Sequence, residues 1–391
     1  MNNKIRVLQL VGGGEAIGGV EKMLLNYYSH MDREKVQFDF CFYRESTISL
    51  VENQYGQYLQ NSEIYELSCF KGKSSFFGYL KAIPKVKKIL KKGKYDIVHI
   101  NSGRPALLVT GMIAARLAKT KIKISHSHST SGSVQNNSLI SKIKKALHKM
   151  ISNYLVKKSD YLFACSLDAG EYMFGKKALS SPKFIEIRNA IVVEPYIFNE
   201  KNRLEIRKEY NVPNNAIVCG HVGRFSEEKN HLLLVDIFEQ IHNLIPNSFL
   251  WLVGDGALRE EVQKAVNNKQ LESSVLFFGE RKDVNVLMQG MDVFIFPSRY
   301  EGLSVTLVEA QAASLPVFAS DSISKEHAIS HDFFFLSLLE PINEWAKRVV
   351  ETRKIERINA KDIIRNSGYD ISNEAKKLED LYLKAVQSSE N

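Results

Sequence analysis

The chain has 391 residues, 44% hydrophobic and 25% charged, an ordinary globular composition with enough apolar material for more than one core. Cys41, Cys69, Cys165 and Cys219 stand far apart with no paired spacing, which excludes a disulfide framework and a zinc cluster; the longest apolar segment, near 105–118, is broken by Arg116, so no membrane span is expected. The 53 basic and 44 acidic side chains give +9, but residues 1–190 carry 30 and 14 of them, a net +16, and residues 191–391 the remaining 23 and 30, a net −7.

Apolar runs of strand length alternate with helical patterns throughout, which predicts an α/β protein with parallel sheets. In the first half the strands are expected at Ile5–Val11, Val36–Cys41, Ile64–Leu67, Ile97–Ile100, Ile122–Ser127, Tyr161–Cys165 and Phe184–Ile187. A second series follows at Ala216–Val222, Phe249–Val253, Val275–Phe278, Val293–Phe296 and Val317–Ala319. The Pro- and Asn-punctuated segment 189–215 separates them and sets a domain boundary near residue 190. The last helix, in 373–391, is polar, and periodicity does not give its destination; a return to the N-terminal domain is one option.

Two helical stretches, 79–94 and 139–158, interleave apolar residues with lysines and contain no acid. Each alone reads as a core stripe with a solvated lysine face; two in one basic domain give equal weight to an anionic membrane surface.

Four segments can carry chemistry. The first strand runs into Gly12, Gly13, Gly14, Gly18 and Gly19 before a helix near Val20, where backbone amides can approach a phosphate or form only a tight turn. The spacing is not that of a dinucleotide fingerprint, although Asp39 stands at a suggestive distance. In KIKISHSHST, His126 and His128 share a strand face and can project at the carboxyl end of the sheet. In HVGRFSEEKN, Gly223 turns the chain and Arg224 and Lys229 flank a helix start, a fork and a point charge suited to a diphosphate; the alternative is surface pairing with Glu227 or Glu228. In EGLSVTLVE, Glu301 precedes a helix that carries Glu309, with Gly302, Leu303 and Ser304 offering amides between two carboxylates that can accept from hydroxyls.

Together these segments resemble the retaining glycosyltransferases of family 4, over nearly the whole chain. Glu301 and Glu309 match the E-x7-E motif, Gly223, Arg224 and Lys229 the phosphate-binding motif, and Gly254–Gly256 the VGDG turn. The HSHS strand, EGLSVTLVEAQAASLP, Ser320–Glu326 and FLSL at 335–338 are similar to the capsule and exopolysaccharide branch. The resemblance implies a GT-B fold, two Rossmann-like domains facing across a cleft: an acceptor-side domain over 1–190, a nucleotide-sugar domain over 191–372 and the helix 373–391. It implies transfer of a hexose from a nucleotide diphosphate sugar, UDP-linked, to a saccharide acceptor on polyprenyl diphosphate. Arg224 and Lys229 then clamp the diphosphate, Glu309 takes the ribose hydroxyls, Glu301 the sugar hydroxyls, and the amides of Leu303 and Ser304 with Gly302 and Gly19 complete the cradle. Glu280 and Arg281 border the base. His128 aligns better than His126 with the family's active-site histidine. No cofactor or metal is implied, in keeping with the absence of any D-x-D spacing, because fixed cations can stabilise the departing diphosphate. The partners are the donor, the lipid-linked acceptor and an anionic membrane, not nucleic acid; the expected location is cytoplasmic, peripheral on the inner face of the cell membrane. Two other readings stay open: a nucleotide-sugar 2-epimerase on the same fold, and a non-catalytic membrane or partner-binding module. A nicotinamide oxidoreductase is weaker, because its chemistry has no need of the paired glutamates in the second half.

Overall fold

The structure, a computed structural model, describes residues 4–12, 18–43, 56–69, 76–129, 139–352 and 357–390. Gly13 and Gly14 of the first glycine run lie outside the described residues. The chain divides into two compact units, Met1–Ala190 with Ile371–Asn391, and Ile191–Asp370.

In the first unit, β1 (Ile5–Val11), β2 (Val36–Phe42), β3 (Ile64–Glu66), β4 (Ile97–Ser102), β5 (Ile122–Ser127), β6 (Tyr161–Ala164) and β7 (Phe184–Glu186) form a parallel sheet. Their order is β3-β2-β1-β4-β5-β6-β7. Parallel neighbours need crossovers, and these are α1 (Gly19–Ser29), α2 (Phe76–Gly93), α3 (Pro105–Ala118), α4 (Leu139–Lys158) and α5 (Leu167–Phe174). Local chemistry sets the helix ends: Pro105 opens α3 with its fixed φ, and the Ser166 side chain accepts from the Ala169 amide to start α5. Leu8, Leu10, Val98 and Ile100 pack on one face against Ala82, Val86 and Leu90 of α2 and Leu108 and Met112 of α3. The apolar stripe of α2 is therefore core.

In the second unit, β8 (Ile217–Val222), β9 (Ser248–Val253), β10 (Val275–Gly279), β11 (Val293–Phe296), β12 (Val317–Ser320) and β13 (Phe333–Leu336) form a parallel sheet in the order β10-β9-β8-β11-β12-β13. Its helices are α6 (Glu200–Glu209), α7 (His231–Leu244), α8 (Arg259–Asn268), α9 (Val284–Gly290), α10 (Val305–Ala312), α11 (Ile342–Thr352) and α12 (Lys361–Asn366). One face buries Phe225, Leu234, Phe238, Leu250 and Trp345; the other buries Trp251, Met288, Phe294, Phe296 and Leu307. The last helix, α13 (Ile371–Glu390), packs on α1, β1 and β5 of the first unit.

Strand β13 is a correction to the sequence reading, which ended its second series at β12. Its FFFL run lacks the period-2 alternation that marks a strand, and a four-residue apolar run is equally compatible with a buried helical turn. Pairing with β12 from Val317↔Phe333 to Ser320↔Leu336 decides the matter.

Candidate active site

Open parallel sheets bind ligands beyond the carboxyl ends of their strands, where the strand order reverses. In the second unit that point lies between β8 and β11, whose ladder holds only Cys219↔Val293 and Gly220↔Phe294. Gly223, Arg224 and Lys229 follow β8, and Glu301–Ser304 follow β11, so the two segments emerge at this one place.

Three loops are stitched together there. The Gly223 amide donates to Val253 O (2.9 Å), Phe225 N to Asp255 O (3.0 Å) and Gly254 N to Gly279 O (2.8 Å). The closeness explains the VGDG turn: a Cβ on Gly254 would stand 2.1 Å from Gly223 O, and Gly254 has φ +130°. Across the switch point, Arg299 N donates to Glu228 O (2.8 Å) and Asn230 Nδ2 to Pro297 O (3.2 Å).

Lys229 lies over Gly223, where an added Cβ would meet Lys229 Cδ at 3.4 Å. Its Nζ is 2.6 Å from Glu301 Oε1 and 4.7 Å from the centre of the Phe296 ring, with both charged side chains largely shielded from solvent. The alternative of pairing with Glu227 or Glu228 is not what Lys229 does. Arg224 is exposed and makes no ion pair among the described residues. Glu309 accepts from Tyr196 Oη at 2.7 Å, and burial, with this carboxylate beside it, raises the tyrosine's pKa.

The amides between the two glutamates are not all open. Ser304 N donates to His327 Nε2 (3.0 Å), and Leu303 and Ser304 are buried. His327 Nδ1 donates to Ser324 O (2.8 Å), so the ring is held neutral in one tautomer, and burial lowers its proton affinity. The Ser304 amide, expected to be offered to the donor, has His327 as its partner in this structure; Gly302 is half-buried. Glu280 is exposed. Arg281 makes a two-pronged pair with Asp283 (2.8 and 2.6 Å) and a bond to Tyr210 Oη (3.3 Å). That pairing holds its pKa above the ordinary arginine value.

In the first unit Gly19 is the first residue of α1 and exposed, and a Cβ there would meet nothing within 4 Å. The Gly18 amide donates to Glu21 Oε2 (3.0 Å). Asp39 is buried in mid-strand, where it pairs with Arg6 (2.6 Å) and accepts from Glu63 N (2.9 Å), a structural role that removes the dinucleotide comparison.

His126 and His128 differ sharply. His126 has no exposed surface, whereas His128, one step beyond the end of β5, is half-buried. Their ring centres are 3.9 Å apart. Burial pushes His128 down to about 3 and holds His126 well below the ordinary histidine value, so both are neutral near pH 7. A third histidine, His99 on β4, bonds to His126 (Nε2 to Nδ1, 3.1 Å) and to Tyr382 Oη of α13 (2.7 Å).

The sequence reading passed over His99, Asn101, Tyr196, His327 and Tyr382. A signal existed for the first two: in VHINS, His99 and Asn101 stand two apart, the same cue that singled out His126 and His128. Tyr196, His327 and Tyr382 carry no comparable local cue.

The chemistry available in the second unit is a fixed cation paired with Glu301 beside a turn that brings backbone close, with a second carboxylate, Glu309, on the helix that follows. Comparison with known proteins gives the family. The family model described as Glycosyltransferase Family 4 matches residues 17–194, and that described as Glycosyl transferases group 1 matches residues 202–359. EpsF of Bacillus subtilis strain 168, which carries a glycosyltransferase name, is 32% identical over 99% of this chain and 98% of its own. An Escherichia coli enzyme, the UDP-Gal:alpha-D-GlcNAc-diphosphoundecaprenol alpha-1,3-galactosyltransferase, is 29% identical over 78% of this chain and 80% of its own. Among solved structures, Anabaena HepE in complex with UDP aligns with a TM-score of 0.75 at 20% identity, over 97% of this chain and 100% of that one, a likeness of fold. The chain, with its two parallel-sheet Rossmann-like units of the GT-B class, therefore belongs to glycosyltransferase family 4 and is a glycosyltransferase.

Proposed function

We propose that this enzyme moves a hexose from a UDP-sugar to a saccharide carried on polyprenyl diphosphate, with retention at the anomeric carbon, in the synthesis of a capsule or exopolysaccharide. The observation that carries the reading is the convergence at the switch point of the second unit, where Gly223 and Lys229 meet Glu301. Breaking the anomeric bond leaves negative charge on the diphosphate, which Arg224 and Lys229 can stabilise without a metal; Arg224, exposed and in no ion pair among the described residues, is available for it. Glu309, held by Tyr196, would take the ribose hydroxyls, and Glu301 those of the sugar. From the first unit we keep Gly19 at the donor phosphates and His128, rather than the enclosed His126, at the donor sugar. The E. coli relative is named for a UDP-sugar donor and a diphosphoundecaprenol-linked acceptor, which supports this pairing of substrates.

A lipid-linked acceptor asks for attachment at a membrane surface. No helix among the described residues is long and apolar enough to cross a membrane. The helix α4 instead exposes Ile143 (59%), Leu147 (55%) and Met150 (69%) in one row between exposed lysines 142, 144, 145 and 149, a surface suited to lying on anionic lipid.

The test is a panel of UDP-glucose, UDP-galactose and UDP-N-acetylglucosamine scored by thermal shift, then by transfer to synthetic undecaprenyl-diphosphate-linked N-acetylglucosamine. Stabilisation by at least one donor with transfer and retained anomeric configuration is expected. No shift with UDP or any donor refutes the donor assignment; an epimerised sugar without transfer favours the epimerase.

A further inference from the structure

Gln9 of β1, His99 and Asn101 of β4, and His126 and His128 of β5 join Tyr382 of α13 in one hydrogen-bonded array inside the first unit. Strand register places Gln9 beside His99 and Asn101 beside His126. Polar side chains on an enclosed sheet face cost stability unless satisfied, and apolar residues would fill the same space at less cost. The fold alone gives no reason for the array.

Its polarity can be worked out. Asn101 Nδ2 lies 3.1 Å from His99 O, a backbone carbonyl that can only accept, and 2.9 Å from Gln9 Oε1. The amino end of Asn101 is therefore fixed, which leaves Oδ1 facing His128 Nε2 at 3.2 Å, and that nitrogen must donate. Gln9, having accepted through Oε1, donates through Nε2 to Tyr382 Oη (3.3 Å). The Tyr382 hydrogen then goes to His99 Nδ1, His99 donates from Nε2 to His126 Nδ1, and the His126 proton resides on Nε2, which is buried with no partner. The reverse polarity would orphan the Tyr382 hydrogen as well as His126 Nε2.

We propose that Asn101 is a positioning residue that holds His128 as its Nε2–H tautomer and so presents the Nδ1 lone pair as an acceptor for a sugar hydroxyl. Gln9 and the His99 carbonyl fix Asn101, and Tyr382 fixes Gln9, so a helix at the far end of the chain takes part in setting one imidazole. The functional half of this inference rests on the reading of His128 given above.

The test is nitrogen-15 NMR of the full, ligand-free chain with labelled histidine, the His128 signal being identified by its loss in His128→Gln. Wild type should show an Nε2–H ring at His128, and Asn101→Leu should populate the Nδ1–H form. With the UDP-sugar that gives the largest thermal shift, Asn101→Leu should lower kcat by roughly tenfold to a hundredfold with KM within about twofold, as expected of misplacement rather than lost binding. An Nδ1–H ring in the wild type overturns the proposal whatever the kinetics, and needs no variant that folds. A tautomer that does not respond to Asn101→Leu also overturns it. If the tautomer changes but kcat does not, or His128→Gln is fully active, the positioning role stands and the placement of His128 at the sugar fails.

Discussion

Alanine at Gly254 would test the stitched loops of the second unit most directly. The added Cβ would lie 2.1 Å from Gly223 O, about 1.3 Å short of the 3.4 Å at which ordinary contact begins. Gly254 also has φ +130°, a region that costs a residue with a side chain about 1–3 kcal/mol. Relief by moving the Gly223 loop stretches its 2.9 Å bond to Val253 O beyond hydrogen-bond reach and loosens that from Phe225 N to Asp255 O, at about 1 kcal/mol each. The total, roughly 3–5 kcal/mol, converts to a fall of roughly 6–20 °C in the melting transition of a domain this size. Because Arg224 and Lys229 ride on the displaced loop, the stabilisation given by UDP should shrink too. Calorimetry with and without UDP checks both effects. Gly19→Ala is the control: with nothing within 4 Å of its Cβ it should melt like wild type, yet lose UDP-sugar affinity if donor phosphates approach there. A Gly254→Ala protein that melts within about 2 °C of wild type and keeps its UDP response would refute the argument that close backbone approach sets this glycine.

Arg224→Ala should leave melting within about 1 °C, as an exposed side chain without an ion pair among the described residues, while lowering transfer about a hundredfold; steady-state rates showing full transfer would remove Arg224 from the diphosphate. Tyr196→Phe deletes the 2.7 Å hydrogen bond to Glu309 and should weaken UDP binding roughly threefold to tenfold by titration calorimetry; an unchanged affinity speaks against Glu309 as the ribose acceptor. Ile143→Asp with Leu147→Asp should spare melting and abolish sedimentation with anionic vesicles, and wild-type binding should weaken as salt rises. Vesicle binding by the double variant equal to that of wild type would move the membrane surface away from α4.

Much of the architecture was readable along the chain. The runs that become β1, β4, β8 and β11 are short, apolar and separated by helical patterns, and such a sequence has few solutions other than parallel sheets. The run Phe333–Leu336 escaped because four apolar residues carry no usable period. For the candidate site, spacing identified residue types: a cation pair after one strand and two glutamates after another. It gave no warning that Ser304 N is taken by His327, since that depends on how the segment after β12 folds over α10. The two lysine-rich stretches looked alike in sequence, yet α2 buries its apolar stripe and α4 exposes one, because whether a stripe meets a core is settled by its neighbours.

The order of residues alone determined the alternating elements and the E-x7-E, GR…K and VGDG spacings, because periodicity and spacing are properties of the covalent chain. The tertiary structure decided the partners. Lys229 meets Glu301 72 residues away and His99 meets Tyr382 283 residues away, and it is strand order for the first and the packing of α13 on the sheet for the second, not distance along the chain, that bring such groups within a hydrogen bond of one another. The same packing encloses His126 and leaves His128, two residues on, half open at the end of its strand.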